Sequence, residues 1–248
     1  MRCLVLSDVH ANATALAAAL AACAGQWDQV VCLGDLVGYG PDPNEVVEQV
    51  RGLVSAIIRG NHDKAACGLG DLEDFNSVAR SAVEWTHRHL RPENLRYLAE
   101  LPAGPLQMDS LTLVHGAFHD EDEYVFVPEQ ALDSLLVAPG EVTFFGHTHL
   151  QGGFSFRDLE LEVILLKAPR AGARSAVLRL EGGTRYLLNP GSVGQPRDGD
   201  TRAAFAIADS DQGVVEFWRV PYDIHSVQER MRRAGLPEPL TQRLAAGH

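Results

Sequence analysis

The chain has 248 residues, of which 46% are hydrophobic and 22% charged, which suits one compact domain and excludes a disordered or fibrous protein. No apolar run approaches the roughly 18 to 20 residues of a membrane-spanning helix, and Ser7 soon breaks the apolar start, so we expect a cytoplasmic protein without a signal peptide. The net charge of −12 repels phosphate backbones and disfavours nucleic acid as a partner.

The first 150 residues alternate short apolar runs with helical stretches, a pattern typical of parallel strands that are covered on both faces. The apolar runs predict strands at residues 3–6, 30–33, 56–58, 111–114 and 142–145. Asn12 is expected to cap one helix, and Pro43 and Pro92 are expected to begin two others. This alternation predicts an α/β protein.

From residue 151 onward the sequence is rich in predicted strands. Runs at residues 154–156, 161–166, 176–180, 185–188, 203–208 and 214–220 predict a β-meander that packs on the first half as a second sheet. Residues 224–248 are predicted to form C-terminal helices. Because no Pro- or Ser-rich linker separates residues 1–150 from 151–223, we predict a single domain over residues 1–248. Residues 161–172 are compatible with a dimer strand, a lid or an ordinary strand and loop.

Each predicted strand of the first half is followed by a side chain that can bind a metal ion. In strand order these are Asp8 with His10, Asp35, Asn61, His115, and His147 with His149. Each residue alone has an ordinary explanation, such as a turn former or a core histidine, but together they favour a metal site. The carboxyl ends of parallel strands line one edge of a sheet, so these residues are expected to converge there.

The predicted ligands are two carboxylates, one amide oxygen and four imidazoles. Such a set suits borderline divalent ions better than Ca²⁺ or Mg²⁺; we expect Mn²⁺ or Fe²⁺, with Zn²⁺, Co²⁺ or Ni²⁺ as alternatives. Seven ligands are too many for one ion of this kind. Two ions that share Asp35 would each receive about four ligands and keep positions open for water and substrate.

Five sequence blocks resemble the motifs of the calcineurin-like metallophosphoesterase family, in its small single-domain bacterial and archaeal branch. The blocks are Asp8-x-His10, Gly34-Asp35, Gly60-Asn61-His62-Asp63, His115-Gly116 and Gly146-His147-x-His149, and the resemblance extends to about Arg202. It implies a four-layer α/β/β/α sandwich of two mixed sheets flanked by helices. It also implies that one ion is held by Asp8, His10, Asp35 and His149 and the other by Asp35, Asn61, His115 and His147.

The resemblance implies a metal-dependent phosphoric ester hydrolase. We expect a hydroxide that bridges the ions to attack phosphorus, and His62 to act as the catalytic group that protonates or hydrogen-bonds the leaving oxygen. Arg197 and Tyr39 are weaker candidates for substrate binding, through the phosphate and by stacking. The expected substrate is a small phosphorylated molecule, and the resemblance favours a nucleotide or a dinucleoside polyphosphate.

Two alternatives remain: a phosphodiesterase of the same family, and a non-catalytic interaction module on the same fold. The module is disfavoured because every ligand position and His62 are present. Protein serine/threonine phosphatases have an Asp-Arg pair where this chain has Gly38 and Tyr39, which disfavours a phosphoprotein substrate. The acidic run at residues 120–123 is expected to be a solvated loop. Nothing in the sequence specifies an oligomeric state.

Overall fold

A computed structural model of the protein describes residues 1–73, 75–166 and 175–248. Its strands and helices follow one another as β1 (Arg2–Leu6), α1 (Ala13–Ala22), β2 (Gln29–Cys32), α2 (Pro43–Arg51), β3 (Ala56–Ile57), α3 (Asn61–Ala66), α4 (Ser77–His89), α5 (Pro92–Ala99), β4 (Leu106–Met108), β5 (Leu111–Leu113), α6 (Pro128–Val137), β6 (Val142–Phe144), β7 (Gly152–Arg157), β8 (Glu160–Ile164), β9 (Ser175–Arg179), β10 (Arg185–Asn189), β11 (Ala203–Asp209), β12 (Val214–Val220), α7 (Ile224–Arg233) and α8 (Glu238–Ala246). Among the described residues, no helix has both the length and the apolar character needed to span a bilayer.

The strands form two six-stranded sheets. The strand order is β3-β2-β1-β11-β12-β9 in the first sheet and β4-β5-β6-β10-β7-β8 in the second. In the first sheet, β3, β2 and β1 are parallel and occupy one side, and antiparallel strands follow from β11 onward. In the second sheet, β5, β6 and β10 are parallel and have antiparallel neighbours on both sides. Both sheets are therefore mixed.

The side chains of β1 alternate between two hydrophobic cores, because successive residues of a strand point to opposite faces. Leu4 and Leu6 pack with Leu16 of α1 on the outer face of the first sheet. Cys3 and Val5 pack in the core between the two sheets. Burial on both faces is the reason that β1 shows no polar alternation.

Helices cover the outer faces of both sheets. The core on the outside of the first sheet includes residues of α1 and α2, and the core on the outside of the second sheet joins Leu135 of α6 to Leu187 of β10. The layers are thus helix, sheet, sheet and helix, which confirms the four-layer α/β/β/α sandwich that the resemblance implied.

The predicted helix starts agree with the structure. The Asn12 side chain accepts a hydrogen bond from the backbone nitrogen of Ala15 at 3.0 Å and caps α1. Pro43 and Pro92 each begin a helix, where the missing N–H of proline removes no hydrogen bond. No start was predicted for helices α3, α4 and α6.

The prediction of a β-meander over residues 151–223 was wrong. Strands β7, β8 and β10 join the second sheet, whereas β9, β11 and β12 join the first. Strand β11 pairs with β1, and β10 pairs with β6, so each sheet combines strands from both halves of the sequence. An apolar run shows that a strand is buried but does not identify its partner.

For residues 161–172, a dimer strand, a lid and an ordinary strand and loop were all compatible with the sequence. The first part of this segment lies in edge strand β8, and residues 167–172 lie outside the described part of the chain.

The strands that precede the predicted ligands also divide between the sheets. β1, β2 and β3 belong to the first sheet, and β5 and β6 belong to the second. The expectation of a single sheet edge was therefore wrong. The predicted ligands lie where the carboxyl ends of strands from two packed sheets meet.

Candidate metal centre

The predicted metal ligands come together in two groups. The ligand atoms of Asp8, His10, Asp35 and His149 lie within 4.8 Å of one another, and so do those of Asp35, His115 and His147. All six of these side chains are buried. The Oδ1 atom of Asn61 lies 3.3 Å from Nε2 of His115, which places Asn61 in the second group.

Asp35 belongs to both groups. Its Oδ2 atom lies 3.6 Å from Nε2 of His10 and 3.6 Å from Nε2 of His115. Its Oδ1 atom accepts a hydrogen bond from the backbone nitrogen of His62 at 2.8 Å. The buried Oδ2 atom has no hydrogen-bond partner among the described residues. An unpaired buried acceptor is costly, and cations bound by the two groups would satisfy it, so the residues fit a pair of divalent ions.

Backbone carbonyls orient the four imidazoles. The contacts run from His10 Nδ1 to Val37 O (3.0 Å), from His115 Nδ1 to Leu33 O (2.8 Å), from His149 Nδ1 to Gln195 O (2.6 Å) and from His147 Nε2 to Asp122 O (3.1 Å). A carbonyl oxygen only accepts, so the nitrogen in contact with it carries the proton and the other nitrogen is free to bind a metal. The free nitrogen is Nε2 in three of the rings and Nδ1 in His147.

Burial favours the metal-binding form of these rings. It lowers the pKa of His10 well below its ordinary value and the pKa of His147 to about 2. Both imidazoles are therefore neutral at neutral pH, as metal ligation requires. Burial, with the nearby charges of Asp63 and Asp8, raises the pKa of Asp35 well above its ordinary value. Without a cation, the site thus disfavours the charged form of Asp35.

Five predicted ligands have a left-handed backbone conformation. Their φ angles are 53° at Asp8, 48° at His10, 54° at Asp35, 65° at His147 and 61° at His149. This conformation is uncommon outside glycine and costs on the order of 1–3 kcal/mol at each residue. Hydrogen bonds from Asp8 N to Gly34 O (3.0 Å) and from His10 N to Asp35 O (2.9 Å) hold two of the loops together.

The start of α3 lies directly against Asp35. A Cβ atom at Gly60 would lie only 2.1 Å from Oδ1 of Asp35, so this approach requires glycine. The Asp63 carboxylate accepts hydrogen bonds from the backbone nitrogens of Gly60 at 3.1 Å and Val37 at 3.2 Å. Asp63 thereby ties α3 to the loop after β2.

The His62 ring is buried beside the two ligand groups. It packs on the Tyr39 ring, with centroids 4.3 Å apart, and edge-on against Phe75 at 5.0 Å. Its Nδ1 atom is buried and has no hydrogen-bond partner in the described part of the chain. A Cβ atom at Gly38 would lie 2.4 Å from this Nδ1, so position 38 has no room for a side chain such as aspartate. Packing therefore holds His62 in place.

The structure also brings Arg197 and Tyr39 to this region. Arg197 Nη2 donates hydrogen bonds to the Tyr39 hydroxyl at 3.3 Å and to Gln195 Oε1 at 3.1 Å. After burial, the charge of Arg197 is the largest contribution that lowers the pKa of His62 and of His149. Its Nε atom is buried without a hydrogen-bond partner among the described residues. An N–H donor is therefore available close to the ligand groups.

A cavity of about 280 Å³ opens beside the second ligand group. Its wall includes Asn61, His62 and His147, the aromatic rings of Tyr39, Phe75 and Tyr124, and the polar side chains of Lys64, Asp71, Asn76 and Asp122. The Tyr124 ring stacks on His147 with centroids 3.7 Å apart. Aromatic walls around a few polar groups are typical of sites that bind small molecules.

Most of the groups that orient the ligands were not predicted from the sequence. Ser192 Oγ donates to the Asp8 carbonyl at 2.7 Å, and Asn189 Nδ2 donates to the Gly146 carbonyl at 2.8 Å. Both residues, like Gln195, lie in or just after the end of β10. The turn-forming sequence Asn189-Pro190-Gly191-Ser192 is a signal that could have indicated a tight loop there.

The expectation of a solvated acidic loop at residues 120–123 was wrong for Glu121. Its side chain is mostly buried and pairs with Arg59 and Lys64. A run of carboxylates usually lies in solvent, but these two cations come from a distant part of the sequence. Arg59, which follows β3, thus pairs with a carboxylate rather than remaining free.

Comparison with known proteins identifies several relatives of this chain. The family model of the calcineurin-like phosphoesterase superfamily domain matches residues 1–213. The crystal structure of a metallophosphoesterase from Sphaerobacter thermophilus is 42% identical, with a TM-score of 0.83 over 100% of this chain and 99% of that one. An uncharacterized protein of Methanocaldococcus jannaschii is 36% identical over 98% of this chain and 97% of its own length. A hypothetical protein from Pyrococcus horikoshii OT3 shares the fold, with a TM-score of 0.78 at 20% identity over 100% of this chain and 98% of that one.

Proposed function

Because the chain belongs to the calcineurin-like phosphoesterase superfamily, we propose that it hydrolyses phosphoric esters of small molecules with two bound divalent ions. The observation that carries this proposal is the buried Oδ2 atom of Asp35 between the two ligand groups, which has no hydrogen-bond partner in the part of the chain that the structure describes. We assign one ion to Asp8, His10, Asp35 and His149, and the other to Asp35, Asn61, His115 and His147. Mn²⁺ or Fe²⁺ is the expected metal, because the ligands combine imidazoles with oxygen donors.

When bound, such ions polarise phosphoryl oxygens and lower the pKa of a shared water. In this proposal His62 contacts the leaving oxygen, because it lines the cavity and follows Asn61 directly. Since its Nδ1 has no partner among the described residues, the proton of the neutral ring belongs on Nε2, from which it can hydrogen-bond to that oxygen. Transfer of a proton to the oxygen requires the imidazolium form, which returns to this neutral ring. Burial lowers the pKa of His62, and a negatively charged substrate would raise it again.

The cavity supports a substrate with a planar leaving group. Tyr39, Phe75 and Tyr124 present aromatic rings on which a base can stack. The carboxylates of Asp71 and Asp122 also line the wall, and the net charge is −12, so a long polyanion is disfavoured. These features favour a nucleotide, or one end of a dinucleoside polyphosphate, as the substrate.

The proposal is tested with purified protein that is stripped of metal and reloaded with one metal at a time. Phosphate release is measured for nucleotides, dinucleoside polyphosphates, sugar phosphates and phosphopeptides, and a chromogenic diester is assayed in parallel. We expect two ions per chain, activity that requires them, and the highest kcat/KM for a nucleotide or dinucleoside polyphosphate. Faster diester cleavage would favour the phosphodiesterase alternative, whereas two bound ions without any turnover would favour the non-catalytic module.

Replacing Arg197 by methionine is expected to lower kcat/KM by about 10²-fold, the scale of losing one donor to a developing charge. The physical reason is the Nε–H of Arg197, which finds no partner among the residues described and in this proposal binds a phosphoryl oxygen. Steady-state kinetics and metal analysis on the same samples measure the effect, and the metal content should not change. Arg233→Met, at an exposed position, is the matched control. Equal kinetics in the two variants would remove Arg197 from the site.

A further inference from the structure

Four charged side chains form an ion-paired cluster beside the candidate metal centre: Arg59, Lys64, Glu121 and Asp122, here called the Glu121 clamp. Arg59 donates to the Glu121 carboxylate through Nε at 3.0 Å and Nη2 at 2.8 Å. Lys64 Nζ donates to Glu121 at 3.0 Å and also to the Asp122 carboxylate. The side chains of Arg59, Lys64 and Glu121 are only 23%, 15% and 14% exposed, so solvent screens these pairs less than surface pairs.

The Glu121 clamp joins a segment that carries one ligand of the second group to a loop that orients another. Its two cations, Arg59 and Lys64, stand on either side of Asn61 in the sequence. Its two carboxylates belong to the loop whose Asp122 carbonyl accepts the Nε2–H of His147. The clamp therefore connects the segment that contains Asn61 to the group that orients His147.

The His147 anchor differs from the anchors of the other three imidazoles. Those rings bond to the carbonyls of Leu33 and Val37, which follow β2, and of Gln195, which is buried. Asp122 instead belongs to a loop that is partly exposed. Its carbonyl has a defined position only if other contacts hold the loop in place.

Two further contacts show how closely this loop approaches the ligand groups. A Cβ atom at Gly116, which follows His115, would lie 2.5 Å from the carbonyl oxygen of Glu123 and 2.7 Å from that of Glu121. Tyr124, at the end of the same loop, stacks on the His147 ring at 3.7 Å. The loop thus contacts the segments of two ligands of the second group, and a shift in the loop would move the Asp122 carbonyl away from His147.

We propose that Glu121 is a positioning residue for the second ion, an inference that rests on the proposed function because it requires that ions bind. Through Arg59 and Lys64 it holds the loop so that the Asp122 carbonyl keeps the proton of His147 on Nε2 and leaves Nδ1 free. Loss of the clamp therefore weakens the ion held by Asn61, His115 and His147. The ion held by Asp8, His10 and His149 keeps its own anchors.

The test is a calorimetric titration of Mn²⁺ into the metal-stripped full-length protein and its Glu121→Gln variant, which keeps the size of the side chain and removes its charge. We expect two binding steps in the wild-type protein. In the variant, one step should weaken by about 10- to 100-fold, the usual effect of losing the group that orients a ligand, and the other should stay within about twofold. Glu123→Gln, in the same loop and exposed, changes the net charge equally and should titrate like the wild type.

Selective weakening of one step supports the inference, and equal weakening of both steps overturns it. Thermal unfolding of the metal-stripped proteins checks that Glu121→Gln folds; if it does not, Arg59→Gln removes the same ion pair from the other side and should show the same selective loss. Wild-type titration with fewer than two steps would end both the proposed function and this inference. If the wild type shows two binding steps and both steps are unchanged in Glu121→Gln and in Arg59→Gln, the inference alone is overturned.

Discussion

Replacing Asp35 by asparagine is expected to remove metal binding at both sites and to reduce phosphate release by at least about 10⁴-fold. Asp35 is the one side chain that both ligand groups contain, so its loss leaves each group incomplete. Each electrostatic group that stabilises developing charge is worth about 10²- to 10³-fold, and this substitution affects two of them. Metal analysis and single-turnover kinetics measure the two effects on the same preparation.

The same Asp35→Asn variant should be more stable than the wild type when both are free of metal. Burial raises the pKa of Asp35, so its carboxylate favours the unfolded state once it ionises. In the wild type, the Asp35 carboxyl group stabilises the folded state fully at pH values below the ordinary aspartate pKa of the unfolded chain. This contribution is lost as the pH rises through the raised pKa that Asp35 has in the folded state. Denaturant unfolding at about pH 5 and about pH 8 should therefore show an advantage for Asn that grows with pH toward about 1–3 kcal/mol, the cost of an unsatisfied buried polar group.

Asp158→Asn is the control for this comparison, because it removes a carboxylate from an exposed position. It should leave the metal content, the activity and the pH dependence of stability unchanged. An Asp35→Asn variant that still binds two ions would contradict the assignment of Asp35 as the shared ligand.

Replacing His62 by alanine is expected to lower kcat by about 10²- to 10⁴-fold without changing the metal content. Alanine keeps the backbone nitrogen that donates to Asp35 Oδ1 at 2.8 Å, so the ligand groups keep their geometry. What is lost is the donor to the leaving oxygen. The loss should be largest for alkyl phosphates and smallest for aryl phosphates, whose leaving groups need little help from a proton donor.

That dependence on the leaving group separates a proton donor from a merely structural ring, whose loss would slow all substrates equally. His225→Ala, at an exposed position, is the control and should have wild-type kinetics. Full turnover of alkyl and aryl substrates in a His62→Ala protein that retains its metals would exclude the role.

Much of the candidate site was evident from local sequence. Asp8, His10 and Asp35 each follow a short apolar run, and that position together with their chemistry was enough to predict that they meet. Asn12 and Pro43 marked helix starts for reasons that act within a few residues. Such signals survive in the sequence because the side chain itself makes the relevant contact.

Other features of the site and fold could not be predicted from the sequence. The carbonyl of Asp122 orients His147, yet every residue has a carbonyl, so no residue type marks this role. Glu121 looks like part of a charged surface run until Arg59, which is distant in sequence, is seen to bond to it. The division of β9 and β10 between two sheets likewise depends on which strands lie beside them.

Ligand chemistry, strand ends and helix caps therefore follow from the amino-acid sequence, because propensity and side-chain chemistry act locally. Sheet membership, the tautomers of the histidines and the burial of Glu121 depend on contacts between segments that are far apart in the chain. Those contacts exist only after the two sheets pack together, so they are properties of the folded protein and not of any one stretch of its sequence.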